Sequence, residues 1–212
     1  MSKFTRNCDK FKNKSNEDVC LNAVDENSCL CESFNKETTI NKNTKIIIVG
    51  TLTPQAGRER GYFYCSPAPS QYQYRLIDYA TGDLNYSLEE KRQKLKSGKD
   101  EIVVDEIKKI LKERKVAFLD VIQYAITKNG SPLDDDIVLF NLDYDAFKDI
   151  NFKKVKFIAN SNNAFYGLKI ILDKLGIDEN DRNIVLIHQS PRAAKMKYVV
   201  LREKWKDAFC KI

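Results

Sequence analysis

The chain contains one histidine, His188, placed directly after the apolar run Ile184-Val185-Leu186-Ile187 and before Gln189-Ser190-Pro191. An imidazole changes charge near neutral pH and can serve as donor or acceptor, although a lone histidine after a buried strand is often only a satisfied turn residue. Three other polar groups occupy the same kind of position. Asp120 follows Val116-Ala117-Phe118-Leu119, Asn160 follows Val155-Lys156-Phe157-Ile158-Ala159, and Thr51-Leu52-Thr53-Pro54 follows Ile46-Ile47-Ile48-Val49-Gly50. An ionised carboxylate only accepts hydrogen bonds, whereas an amide both donates and accepts. Asp120 could equally be a helix cap or a structural acceptor, and Asn160 a plain strand-end cap. Past Pro54 come Arg58, Glu59, Arg60, Gly61 and the aromatic row Tyr62-Phe63-Tyr64. Three adjacent aromatics in a polar loop beside a buried strand suit the closing of a pocket better than packing alone.

These side chains need elements that bring them together. The unbroken β-branched run 46–49 reads as a strand buried on both faces, as in a parallel sheet. Further strands are predicted at Val116–Leu119, Val155–Ala159 and Ile184–Ile187. Helices are predicted at Pro69–Ala80, at 87–96 behind the capping box Ser87-Leu88-Glu89-Glu90, and at 100–114, where Ile102, Val103, Ile107, Ile110 and Leu111 recur at helical spacing. Val121–Thr127 looks helical or irregular, and 129–134 is a loop. Asn162 is the expected cap of a helix that runs to Leu175 and stops at Gly176. Tyr198, Leu201, Trp205 and Ala208 mark the buried face of a last helix. Strands alternating with helical crossovers specify an α/β fold, a three-layer α/β/α sandwich with a mostly parallel four-stranded central sheet. All four strand ends then deliver their polar residues to one edge, where open α/β sheets hold ligands.

The bulk properties narrow the classes. The 212 residues, 42% of them hydrophobic, suffice for one domain with a core plus a tail. No apolar run approaches the ~18 residues of a membrane helix, and the first residues carry no apolar signal core, so an intracellular protein is expected. Net charge is +6 with a pI near 8.9, compatible with an anionic partner. Residues 1–40 hold six Lys/Arg against seven Asp/Glu, so the basic excess lies in 41–212. The first 40 residues read as a polar, cysteine-containing tail. Cys8, Cys20, Cys29 and Cys31 lack the paired spacing of a zinc site and are expected to be reduced thiols, with no metal. No Gly-x-Gly-x-x-Gly or Walker loop is present, which counts against conventional nucleotide binding, and no cofactor is expected.

Four stretches together resemble the uracil-DNA glycosylase superfamily, most closely its hypoxanthine- or deoxyinosine-DNA glycosylase branch. IIIVGTLTP with RERGYFYCSP is similar to the first motif. VAFLDVIQYAITKNGSPLDDDI is similar to the second block, a strand ending in Asp followed by a loop that here contains Ser131. VKFIANSNNAF is similar to the strand ending in Asn, and VLIHQSPRAA to the last motif, with Gln189 where many members carry Pro. The likeness spans roughly residues 44 to 196, within a domain drawn as 41–212.

The resemblance implies a monofunctional DNA-repair glycosylase of base excision repair, a monomer that flips a deaminated base (uracil, hypoxanthine or xanthine) out of DNA and hydrolyses its N-glycosidic bond. It implies His188 as donor to the base oxygen. Phe63 or Tyr64 would stack on the base, and Asp120 and Asn160 would face its edge. Ser190, Pro191 and Arg192 would form the minor-groove loop, with Lys195 and Ser131 as further DNA contacts. Asp120 stands where uracil-specific members carry Asn, which argues against strict uracil specificity. Many members place Asp or Asn before the first-motif proline to hold the attacking water. Here that residue is Thr53, and Thr53, Ser66 or Gln71 is left for the task. Two other readings remain open: a catalytically silent member that binds DNA or a nucleobase, and a flavodoxin-like small-molecule-binding domain.

Overall fold

The computed structural model describes residues 28–33, 35–53, 100–128, 137–188 and 194–210. In chain order these form β1 (Ser28–Glu32), β2 (Ile46–Gly50), α1 (Asp100–Glu113), β3 (Val116–Asp120), β4 (Ile122–Lys128), β5 (Ile137–Leu142), α2 (Tyr144–Phe147), β6 (Lys156–Ala159), α3 (Asn162–Lys174), β7 (Ile184–Leu186) and α4 (Tyr198–Cys210), with short 3-10 turns at Asn35–Glu37, Phe152–Lys154 and Glu179–Asp181. The helices expected at 69–80 and 87–96 and the loop at 129–134 lie outside the described residues.

The central sheet has the order β3-β2-β6-β7, and every pairing in it is parallel. This is the α/β architecture that the sequence predicts. β2 lies inside the sheet, and Ile46, Ile47, Ile48 and Val49 are all fully buried. Each such side chain contributes roughly 1.5–3 kcal/mol of burial. Alternate residues serve opposite faces. Ile47, Val49, Ala117, Leu119, Phe157 and Ala159 join Ala164, Leu168, Ile171 and Leu172 of α3 in one core. Ile46, Ile48, Val116, Phe118 and Ile158 are just as buried on the other side. α1 packs against β3, and α3 against β2 and β6. The crossover to β3 runs one way along the sheet and that to β7 the other, so right-handed connections place their helices on opposite faces.

Several elements differ from expectation. The stretch Val121–Thr127, expected to be helical or irregular, is taken up from Ile122 onward by strand β4, the middle of an antiparallel sheet β1-β4-β5. β3 runs almost directly into it: Val121 and Ile122 still donate to Gly50 and Thr51 carbonyls at 2.9 and 3.1 Å. The chain then leaves the central sheet to pair with the distant β1 on one side and with the next strand, β5, on the other. β1 belongs to the stretch 1–40 that reads as a tail, yet all five of its residues pair with β4, Ser28 with Lys128 through Glu32 with Tyr124. The folded part therefore reaches back at least to Ser28. The cap of α3 is Ser161, one residue before the expected Asn162, and its Oγ accepts from Ala164 N at 3.1 Å. Gly176 ends the same helix at φ +70°, with Gly176 N donating to Asp173 O and Ile177 N to Leu172 O at 3.1 and 3.0 Å. That is a Schellman arrangement, and its left-handed residue favours glycine.

Candidate functional site

Because the four strands are parallel, their carboxyl ends lie along one edge. Gly50 is paired with Asp120, Asn160 N donates to Val49 O at 2.9 Å, and Ile187 N donates to Ala159 O at 3.0 Å. Along that edge the order is therefore Asp120, Thr51–Thr53, Asn160, His188. The outermost pair, Asp120 and His188, is separated by three strand spacings, roughly 14 Å. Successive connections diverge on either side of β2, so the switch point lies between β2 and β6, where α/β sheets open a crevice. Thr51 Oγ1 and Ser161 Oγ bridge that point at 3.1 Å.

At the β3 end, Asp120 and Thr53 are both fully buried. Asp120 Oδ2 accepts from Thr53 N at 2.7 Å and from Thr53 Oγ1 at 2.6 Å. Asp120 is followed by a strand, so the helix-cap alternative for it falls away. Its carboxylate is the acceptor that fixes the turn leaving β2. The Thr53 hydroxyl proton is directed at Asp120, so toward any water Thr53 has only its oxygen lone pairs to offer.

The backbone of Asp120 is held from outside the central sheet. Asp120 N donates to Asn35 Oδ1 at 2.8 Å, and Asn35 Nδ2 donates to Asp120 O at 2.8 Å and to Asp143 Oδ2 at 2.7 Å. Asp143 in turn caps α2, its Oδ1 accepting from Ala146 N at 3.0 Å. Sequence reading missed Asn35. It stands in a polar stretch beside other polar residues, and its partners are 85 and 108 positions away.

At the other end of the row, His188 is half-buried, and the loss of solvent pushes its pKa below 6.5. Burial penalises the charged ring, so the neutral imidazole is favoured at neutral pH. Its main chain is anchored by α4: the indole Nε1 of the fully buried Trp205 donates to His188 O at 3.2 Å. Trp205 also stacks on Phe209, ring centroids 6.0 Å apart. Asn160 is 4% exposed, so it sits beneath the edge rather than on its surface.

No family model matches the chain, and no curated protein matches it. Among solved structures it is similar to the solution NMR structure of a "putative Uracil DNA glycosylase" from Methanosarcina acetivorans. The TM-score is 0.50 and the sequence identity 17%, with 85% of this chain and 97% of that chain covered. The likeness is one of fold.

Within that fold, the structure brings Thr53 into contact with Asp120 and sets Asn160 and His188 along the same sheet edge. Lys195 is exposed, seven residues past His188, with φ +51°. Phe63, Tyr64, Ser66, Gln71, Ser131, Ser190, Pro191 and Arg192 lie outside the described residues. Among the described residues there is no cluster of three or more His, Cys, Asp or Glu that could hold a metal ion, and no helix is long and apolar enough to cross a membrane.

Proposed function

We propose that this chain is a monofunctional DNA glycosylase that hydrolyses the N-glycosidic bond of a deaminated base, uracil, hypoxanthine or xanthine. The observation that carries this reading is the row Asp120, Thr51–Thr53, Asn160, His188 at the carboxyl edge of a β3-β2-β6-β7 parallel sheet. The motif resemblance and the fold likeness to a protein titled a putative uracil DNA glycosylase support it.

The bond breaks toward an oxocarbenium-like sugar and an anionic leaving base, so catalysis needs a donor where that charge develops. A neutral His188 supplies an N–H for the base oxygen. The burial that lowers its pKa suits this role, because the ring stays neutral at pH 7 and does not carry a charge into the pocket. Asp120 and Asn160, buried at the ends of β3 and β6, form the floor of the pocket on the side of the base edge, and Phe63 or Tyr64 stacks on its plane. Ser190, Pro191, Arg192, Lys195 and Ser131 contact the DNA, whose unstacking costs a few kcal/mol that groove contacts must offset. Thr53, Ser66 or Gln71 holds the attacking water. No cofactor enters, and the enzyme acts as a monomer on DNA inside the cell.

One observation favours a second reading. Thr53 stands where a carboxylate or amide would hold the water, and its hydroxyl already donates to Asp120. General-base assistance is typically worth 10²–10⁴-fold, and a chain without it could bind DNA or a base without cleaving. Duplexes carrying uracil, hypoxanthine or xanthine, treated with alkali after incubation, decide the matter. Strand breaks with the wild type that vanish in His188→Ala support the glycosylase. Retention of DNA at low salt without breaks supports the silent binder. Neither breaks nor retention overturns both.

A further inference from the structure

We infer that Asn35 is a positioning residue for Asp120, so that the segment before β2 is part of the machinery of the site rather than a tail appended to it. The inference rests on the glycosylase reading for its functional consequence. β3 is at the edge of the central sheet among the described strands, with its outer backbone groups in need of partners. At Asp120 those partners come from one side chain. The Asn35 amide offers Oδ1 to the Asp120 N–H and Nδ2 to the Asp120 carbonyl, each at 2.8 Å, as a neighbouring strand would. Asn35 is 8% exposed, and the same Nδ2 reaches Asp143 Oδ2 at 2.7 Å.

The residue type follows from this geometry. The position requires an acceptor and a two-proton donor on one short planar group, and asparagine alone supplies both at that length. A carboxylate there would lose both donated bonds and face Asp143. The consequence for the site runs through Asp120. Clamping its N–H and C=O on one side fixes the direction in which its carboxylate leaves the strand, and that carboxylate is the group Thr53 N and Oγ1 both meet. Asn35 therefore sets the placement of the Asp120–Thr53 pair without touching a substrate.

Thr38 provides the control. Its Oγ1 donates to Phe118 O at 2.8 Å, covering the same strand edge two residues upstream of Asp120. A residue that merely seals the edge should behave as Thr38 does. Full-length wild type, Asn35→Ala and Thr38→Val are compared by urea unfolding and by single-turnover cleavage of the three modified duplexes, well below each unfolding midpoint. They are also compared by the NMR shift of the Thr53 amide proton, which bonds Asp120. Asn35→Ser, which retains a hydroxyl, replaces Asn35→Ala if the latter does not fold.

Both substitutions should lower the unfolding midpoint. Only the Asn35 variant should displace the Thr53 amide signal, slow cleavage at saturating enzyme by about 10–100-fold and change the ratio of rates among the bases, with DNA affinity unchanged. Equal behaviour of the two variants in the amide shift, rate and ratio overturns the inference. A wild type that cleaves none of the duplexes overturns the glycosylase reading instead, and the Thr53 amide then decides for or against Asn35.

Discussion

Asp120 and Thr53, 67 positions apart, are joined by two hydrogen bonds onto a single carboxylate oxygen, Oδ2, from the Thr53 backbone N at 2.7 Å and Oγ1 at 2.6 Å. The pair ties the end of β3 to the turn that leaves the interior strand β2, and both residues are fully buried. Thr53→Val keeps the shape and the backbone donor but removes the hydroxyl. It should lower the unfolding free energy by about 1–3 kcal/mol, the usual cost of leaving a buried acceptor short of a donor. Urea denaturation checks this, and an unchanged midpoint would show that the hydroxyl does not stabilise the Asp120 carboxylate.

His188 should titrate below its ordinary value of 6.5, because burial disfavours the charged ring. A histidine whose folded pKa is depressed is bound to protons more readily in the unfolded chain. Its contribution is therefore intact above pH 6.5 and is lost as pH falls through the folded value. Following the imidazole C–H resonances by NMR tests the direction. Cleavage, where present, should hold down to pH 6.5 and decline only below it. A ring that titrates above 6.5 would contradict the burial.

Trp205→Phe removes the indole N–H that meets His188 O at 3.2 Å while keeping an aromatic ring beside Phe209. The lost volume and hydrogen bond together should cost about 1–3 kcal/mol. The His188 ring resonances should shift because their main-chain anchor is gone. Unmoved resonances in a folded variant would show that α4 does not hold this loop.

The central sheet was legible because its strands carry their own pattern. Ile46–Val49 is β-branched without interruption, since an interior parallel strand meets apolar partners on both faces, and β3, β6 and β7 emerge as similar short runs bounded by polar residues. Alternation with helices predicts their parallel sense, and with it the shared edge for Asp120, Asn160, Thr53 and His188, although β3 reaches β6 through β4, β5 and the four-residue α2. β4 was not legible. Val121-Ile122-Gln123-Tyr124-Ala125-Ile126-Thr127 has no clean alternation, and its neighbours β1 and β5 come from either side in sequence. The cap of α3 was ambiguous for a different reason: Asn160, Ser161 and Asn162 are all competent, and only the backbone course selects Ser161.

The sequence by itself therefore determined the four strands, their parallel sense and the polar residues that follow them, because burial on two faces and helical periodicity are local properties of residue order. The order β3-β2-β6-β7 came only with the tertiary structure. Only the tertiary structure decided which polar groups meet. Asn35, Asp120, Asp143 and Thr53 are hydrogen-bonding residues that solvent would satisfy equally well in the unfolded chain. Their partners become specific only when folding excludes that water and brings distant segments within 3 Å of one another.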